Sequence, residues 1–157
     1  MTNSKLAAAL LIAAGFSAAY SAESSAADVY LRSTTAGINL SSDGSPVSLK
    51  QVTIPAGTWV VTAKANPVNF GAADYVRCRI VINGTQRDAA ATLVGNAAPA
   101  PTGEMGPSVA EIVLQTAFSS TSSKTVKLDC LHDFPYAGIY VDPGASIMIV
   151  RSPGPLG

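Results

Sequence analysis

The chain has 157 residues, enough for one domain. Ten basic and ten acidic side chains cancel, and charged residues are only 13 % of the whole. That excludes the strongly basic surface with which proteins grip nucleic acid or anionic lipid, and one His with two Cys falls short of the four or so ligands of a zinc site.

The chain opens with Lys5 and an apolar run over 6–14 (LAAALLIAA). Small residues follow, and both Ser17-Ala18-Ala19 and Ala19-Tyr20-Ser21 place small side chains where a signal peptidase reads. The pattern predicts a secretory signal over 1–21. The run is shorter than the roughly 20 apolar residues of a bilayer crossing. It is apolar all round and uncapped, unlike an amphipathic helix of a soluble core. No Cys follows it to carry a lipid, and no second run of membrane-spanning length occurs. The expected product is secreted, extracellular or at the cell surface. Residues 22–27 are expected to be a flexible N-terminus, 28–151 the folded domain, and 152–157 (SPGPLG) a disordered tail.

After the signal, helical periodicity is nowhere sustained. Short apolar stretches alternate with Gly, Pro, Asn, Asp and Ser, which predicts an antiparallel sandwich or barrel. Strands are expected at 28–33 (DVYLRS) and 47–54 (VSLKQVTI). A Pro55-Ala56-Gly57 turn leads to a strand at 58–65 (TWVVTAKA). The stretch 74–82 (DYVRCRIVI) runs into Asn83-Gly84, a strong hairpin signal, and its partner is 85–94 (TQRDAAATLV). Residues 95–108 (GNAAPAPTGEMGPS) read as a long surface loop. Strands at 109–118, 124–131, 137–142 and 145–151 complete the set. Eight or nine strands in this length predict two packed antiparallel sheets, an all-β sandwich.

Alternation orients the side chains. Val76, Cys78 and Ile80 share one face, with Arg77 and Arg79 on the other. Val126, Leu128 and Cys130 oppose Lys127 and Asp129. Both sulfurs are therefore expected in the core, as a Cys78–Cys130 disulfide in an oxidising compartment or as two buried thiols. The strand 145–151 is apolar on both faces: Ile147 and Ile149 on one, Met148 and Val150 on the other. Val113 and Tyr140 raise the same question in their strands. A two-layer sandwich buries one face per strand. Met148, Val150, Tyr140 and Val113 are thus candidates for an oligomer interface, unless the 95–108 loop and the N-terminal segment fold over them.

Catalytic motifs are not evident. His132 follows Cys130 by two residues on one strand, so the pair lies about 7 Å apart, beyond a direct hydrogen bond. His132 with Asp129 and Asp133 is a conceivable metal set, but three such residues within five arise readily by chance. The structural reading, a strand-end His beside loop carboxylates, is preferred, and no cofactor is implied. Asp74, Asp88, Glu104, Glu111 and Asp142 fall at strand ends and loops, where solvated acids sit. Trp59 shares a face with Val61 and Ala63 and reads as core. Asn39-Leu40-Ser41 and Asn83-Gly84-Thr85 fit the glycosylation acceptor pattern, which matters only in a eukaryotic host.

The stretch Thr53-Ile54-Pro55-Ala56-Gly57-Thr58-Trp59-Val60-Val61 resembles a strand of the jelly-roll domains of the tumour necrosis factor and complement globular-head superfamily. Residues 75–84 look like the family's next long strand with its hairpin, 124–131 its penultimate strands, and 145–150 the closing strand along a subunit interface. The resemblance covers about 45–150. It implies a jelly roll, commonly trimeric, used for binding or structural assembly without enzymatic activity, and it extends to secreted bacterial members. The expected partners are other copies of the chain and an extracellular protein or glycan, met at loops such as 95–108 or on the trimer flank. An adhesin or carbohydrate-binding module is the alternative; a hydrolase with a loop-built site around His132 is the third reading.

Overall fold

The computed structural model describes residues 28–96, 105–135 and 137–154. The expected signal over 1–21, the lead-in 22–27 and the middle of the 95–108 loop lie outside the described residues. The described residues form β1 (Val29–Ser33), β2 (Ile38–Asn39), β3 (Val47–Ile54), β4 (Gly57–Ala65), β5 (Pro67–Val68), β6 (Asp74–Ile82), β7 (Thr85–Val94), β8 (Ile112–Ser120), β9 (Lys124–His132), β10 (Tyr140–Val141) and β11 (Ser146–Arg151).

Eight of these strands make two four-stranded sheets, ordered β1-β11-β4-β8 and β3-β9-β6-β7. Strands consecutive in the chain alternate between sheets, except for the β6–β7 hairpin. Strands from opposite ends of the chain pair as neighbours. That is the double Greek key of a jelly roll, and it confirms the all-β sandwich. β2, β10 and β5 form a small third sheet.

Two side-chain sets meet between the large sheets. Trp59, Val61, Ile147, Ile149 and Leu114 face inward from one; Ile54, Val76, Ile80, Val126 and Leu128 from the other, all buried. The period of two in the sequence generates this directly, because successive side chains point to opposite faces. Trp59 is fully buried, its indole N–H donating to the Pro55 carbonyl at 3.2 Å. The Arg151 guanidinium lies 4.9 Å from its ring centre, and Tyr30 meets it edge-on at 5.7 Å.

Cys78 and Cys130 stand opposite one another in the β6–β9 register, and their sulfurs are bonded inside the core. Asn83 and Gly84 take left-handed φ angles of 46° and 83°, as a tight hairpin of this twist requires. The Asn83 side chain accepts the Thr125 N–H at 2.7 Å, fastening the turn to β9.

Three segments differ from the periodicity. The strand expected at 109–118 is β8, running from Ile112 to Ser120. Val109 makes only an isolated bridge to Val68, because residues 108–110 are bonded to the 67–69 segment instead. The segment expected at 137–142 contributes only Tyr140–Val141, since its partners β2 and β5 are two residues long. β2 and β5 were not expected at all; two residues cannot display a period.

Candidate functional site

Sheet register places an apolar patch on the outer side of the β1-β11-β4-β8 sheet. One row across it reads Val29, Val150, Val60, Ala117; the next reads Leu31, Met148, Thr62, Gln115. Val29, Leu31 and Met148 are 57 %, 55 % and 41 % exposed, and Val113, in the following row on β8, is 60 % exposed. Val150 and Val60 are half-buried. Met148, Val150 and Val113 therefore share one face, as the alternation predicts. Tyr140 does not join them: it belongs to the small sheet, where its ring packs beside Gly37. β1, the edge strand, does not fold over the patch but extends it with Val29 and Leu31. Residues 106 and 107 are bonded to Gly95 at one end of the sandwich.

The outer side of the other sheet has the opposite character. Arg77 Nε and Nη2 donate to the two carboxylate oxygens of Asp133 at 2.7 and 2.6 Å. Arg79 faces Asp129 at 3.9 Å. The Arg77 hydrogen bonds hold the Asp133 carboxyl below the usual carboxylate range and push the guanidinium up in turn.

The three residues that could have formed a metal set are thus dispersed. Asp129 goes to Arg79, Asp133 to Arg77, and His132 turns into the core. His132 Nδ1 and Asp74 Oδ2 are hydrogen-bonded at 2.8 Å, and the same oxygen accepts the Phe134 N–H at 3.1 Å. Both side chains are essentially inaccessible. Asp74 departs from the expectation of a solvated strand-end acid: it closes the start of β6 onto the end of β9. The signal for it was the lone His across the sheet, which needs a buried polar partner. Among the described residues no group of three His, Cys, Asp or Glu is placed to hold a metal ion.

A groove of about 570 Å³ opens at the end of the sandwich opposite the 95–108 loop. Arg87, Lys124, Thr58 and the hydroxyls of residues 119–122 line it, with Gly57 at its edge. Local structure explains Arg87. In the β6–β7 ladder Ile80 pairs with Asp88 and Val81 with Gln86, so Arg87 is the extra residue of a β-bulge. A bulge re-aims a side chain without ending the strand. Asp88 beside it is engaged elsewhere, accepting the Gln115 N–H of β8 at 2.8 Å. No part of this groove was legible from strand alternation, which a bulge interrupts; the only trace is the hydroxyl-rich run 119–123 (SSTSS). Neither His132 nor Asp74 borders this groove or the smaller hollow beside Arg77 and residues 89–91.

No family model matches the chain, and no curated protein does. Solved structures are similar in fold. That of infectious bursal disease virus Gx strain is 13 % identical with a TM-score of 0.52, over 83 % of this chain and 34 % of that one. The VP2 subviral particle of infectious bursal disease virus is 11 % identical with a TM-score of 0.50, over 80 % and 33 %. The chain spans about a third of the length of these structures. At such identity the likeness shows the fold, a jelly roll, and nothing finer.

Proposed function

We propose that the chain is a secreted, non-enzymatic jelly-roll module whose copies associate through the outer face of the β1-β11-β4-β8 sheet, as a homotrimer. The observation that carries this is the contrast between the two outer faces. An antiparallel sheet that faces water normally turns polar side chains outward. The β3-β9-β6-β7 sheet does so, with two Arg–Asp pairs. The other sheet turns Val29, Leu31, Met148 and Val150 outward as adjoining neighbours, and soluble monomers seldom leave large patches of this kind uncovered. Among the described residues β1 is the edge strand along the same border, a feature that proteins ordinarily protect. The VP2 chain of similar fold is found in a subviral particle, which supports assembly as the reading. Three copies is the number that the resemblance to the tumour necrosis factor superfamily implies, and secretion rests on the pattern of residues 1–21.

Sedimentation velocity of the purified chain at micromolar concentration tests the reading. The expected species has three times the chain mass, and Leu31→Asp with Met148→Asp reduces it to one while circular dichroism keeps its strand signal. Exported protein is expected to begin at Ala22. A wild-type monomer, or an assembly indifferent to both aspartates, overturns the proposal.

A further inference from the structure

The groove at the end of the sandwich is lined by cations and hydroxyls. It gathers two cations and five hydroxyl side chains, with no acid and no aromatic ring among its lining residues. Among the described residues, no carboxylate ion-pairs with Arg87 or Lys124, although Arg77, Arg79 and Arg151 each have one. In a chain of zero formal net charge, that leaves a local positive site. Three of the five hydroxyls are held in place by hydrogen bonds. Thr58 and Ser119 are bonded to each other across β4 and β8 at 3.0 Å, and the Ser120 hydroxyl both accepts the Ser122 N–H and donates to its carbonyl.

We infer that this groove binds an anionic sugar, through Arg87 and Lys124 to its carboxylate or sulfate and through Thr58 and the 119–122 hydroxyls to its ring hydroxyls. A volume of about 570 Å³ falls within the range of small-ligand sites, roughly 300–1,000 Å³. A Ser or Thr hydroxyl both donates and accepts, matching the dual character of a sugar hydroxyl. The guanidinium fork suits the paired oxygens of a carboxylate or sulfate, and the ammonium adds a point charge. Neutral sugars are commonly held by stacking on an aromatic face, but Trp59 is fully buried and no ring lines the groove. Charge must therefore carry the recognition. Single-stranded nucleic acid would want stacking platforms too, which leaves the anionic sugar as the better fit. Thr58 and Ser119 continue the outer face of the β1-β11-β4-β8 sheet one row beyond Val60 and Ala117, whereas Arg87 and Lys124 reach the groove from the other sheet.

Isothermal titration of the full chain tests the inference with four probes: a sulfated heparin hexasaccharide, sialyllactose, lactose and a single-stranded oligonucleotide. Binding is expected for the hexasaccharide, for sialyllactose or for both, which distinguishes a sulfate from a carboxylate preference, and it weakens as salt rises. Lactose is expected not to bind. Arg87→Gln and Lys124→Gln should each weaken binding about tenfold or more, the scale of a charge-assisted hydrogen bond, with thermal unfolding unchanged. Lys127→Gln, on β9 away from the groove, should not alter it. Failure of both anionic sugars to bind, equal binding of lactose, tighter binding of the oligonucleotide, or affinity indifferent to Arg87→Gln and Lys124→Gln would each overturn the inference.

Discussion

Asp133 illustrates how one side chain is claimed by its neighbour. Sequence adjacency groups it with His132 and Asp129, but strand geometry hands it to Arg77 on β6. Its carboxyl titrates below its ordinary value because Arg77 hydrogen-bonds the charged form. A lowered folded-state value means that stability is present above the unfolded value and is lost as pH falls through the folded one. The loss should therefore occur below about pH 4. Arg77 is 49 % and Asp133 31 % exposed, so water screens the pair and its worth is about 0.5–1 kcal/mol. Asp133→Asn is expected to lower the unfolding free energy from urea titration by that amount at pH 7 and by less at pH 3, below the unfolded value, where the linked stabilisation declines. An equal loss at both values would mean that the pair does not contribute through charge.

At the level of elements, the sandwich ends are set by close backbone approach. Gly95 terminates β7 with a φ of 120°, and a Cβ there would sit 2.7 Å from the Ala73 Cα. Its N–H donates to the Pro107 carbonyl, and its own carbonyl accepts the Gly106 N–H, both at 2.9 Å. The start of the 95–108 segment is thus tied to its end. Gly95→Ala is expected to cost about 2 kcal/mol or more, since backbone conflict adds to left-handed strain. Gly84→Ala meets nothing within 4 Å and should cost about 1 kcal/mol. Denaturant midpoints of the two variants check the order. The β-bulge at Arg87 is the complementary case: one extra residue breaks the ladder locally while β7 continues, and it sends a cation to the groove.

For the whole molecule, the disulfide joins strands that are distant in sequence. It links residues 52 apart, β6 to β9, in the middle of one sheet. Jelly rolls are rich in non-local pairings, so their unfolded chains have much loop entropy to lose. On the chain-entropy estimate, a closed loop of this length stabilises by about 4 kcal/mol. Reduction, or Cys78→Ala with Cys130→Ala, is expected to lower unfolding free energy by about that amount in urea titration. A change within error would show that the bridge constrains little in the unfolded state.

The positions of the long strands other than β8, the burial of Trp59 and the inward aim of Cys78 and Cys130 followed from the sequence, because a period of two is a local property. The sharing of one face by Met148, Val150 and Val113 needed the register as well, and Tyr140 left that group because its segment pairs with two-residue strands. Asp74 could not be paired with His132 without knowing that β6 lies beside β9. The groove was illegible for a related reason: Arg87 owes its direction to a bulge, and its companions come from β4, β8 and β9. Which faces are greasy and which polar is written along the chain. Which residues become neighbours depends on crossovers between sheets, and only the assembled tertiary structure fixes those.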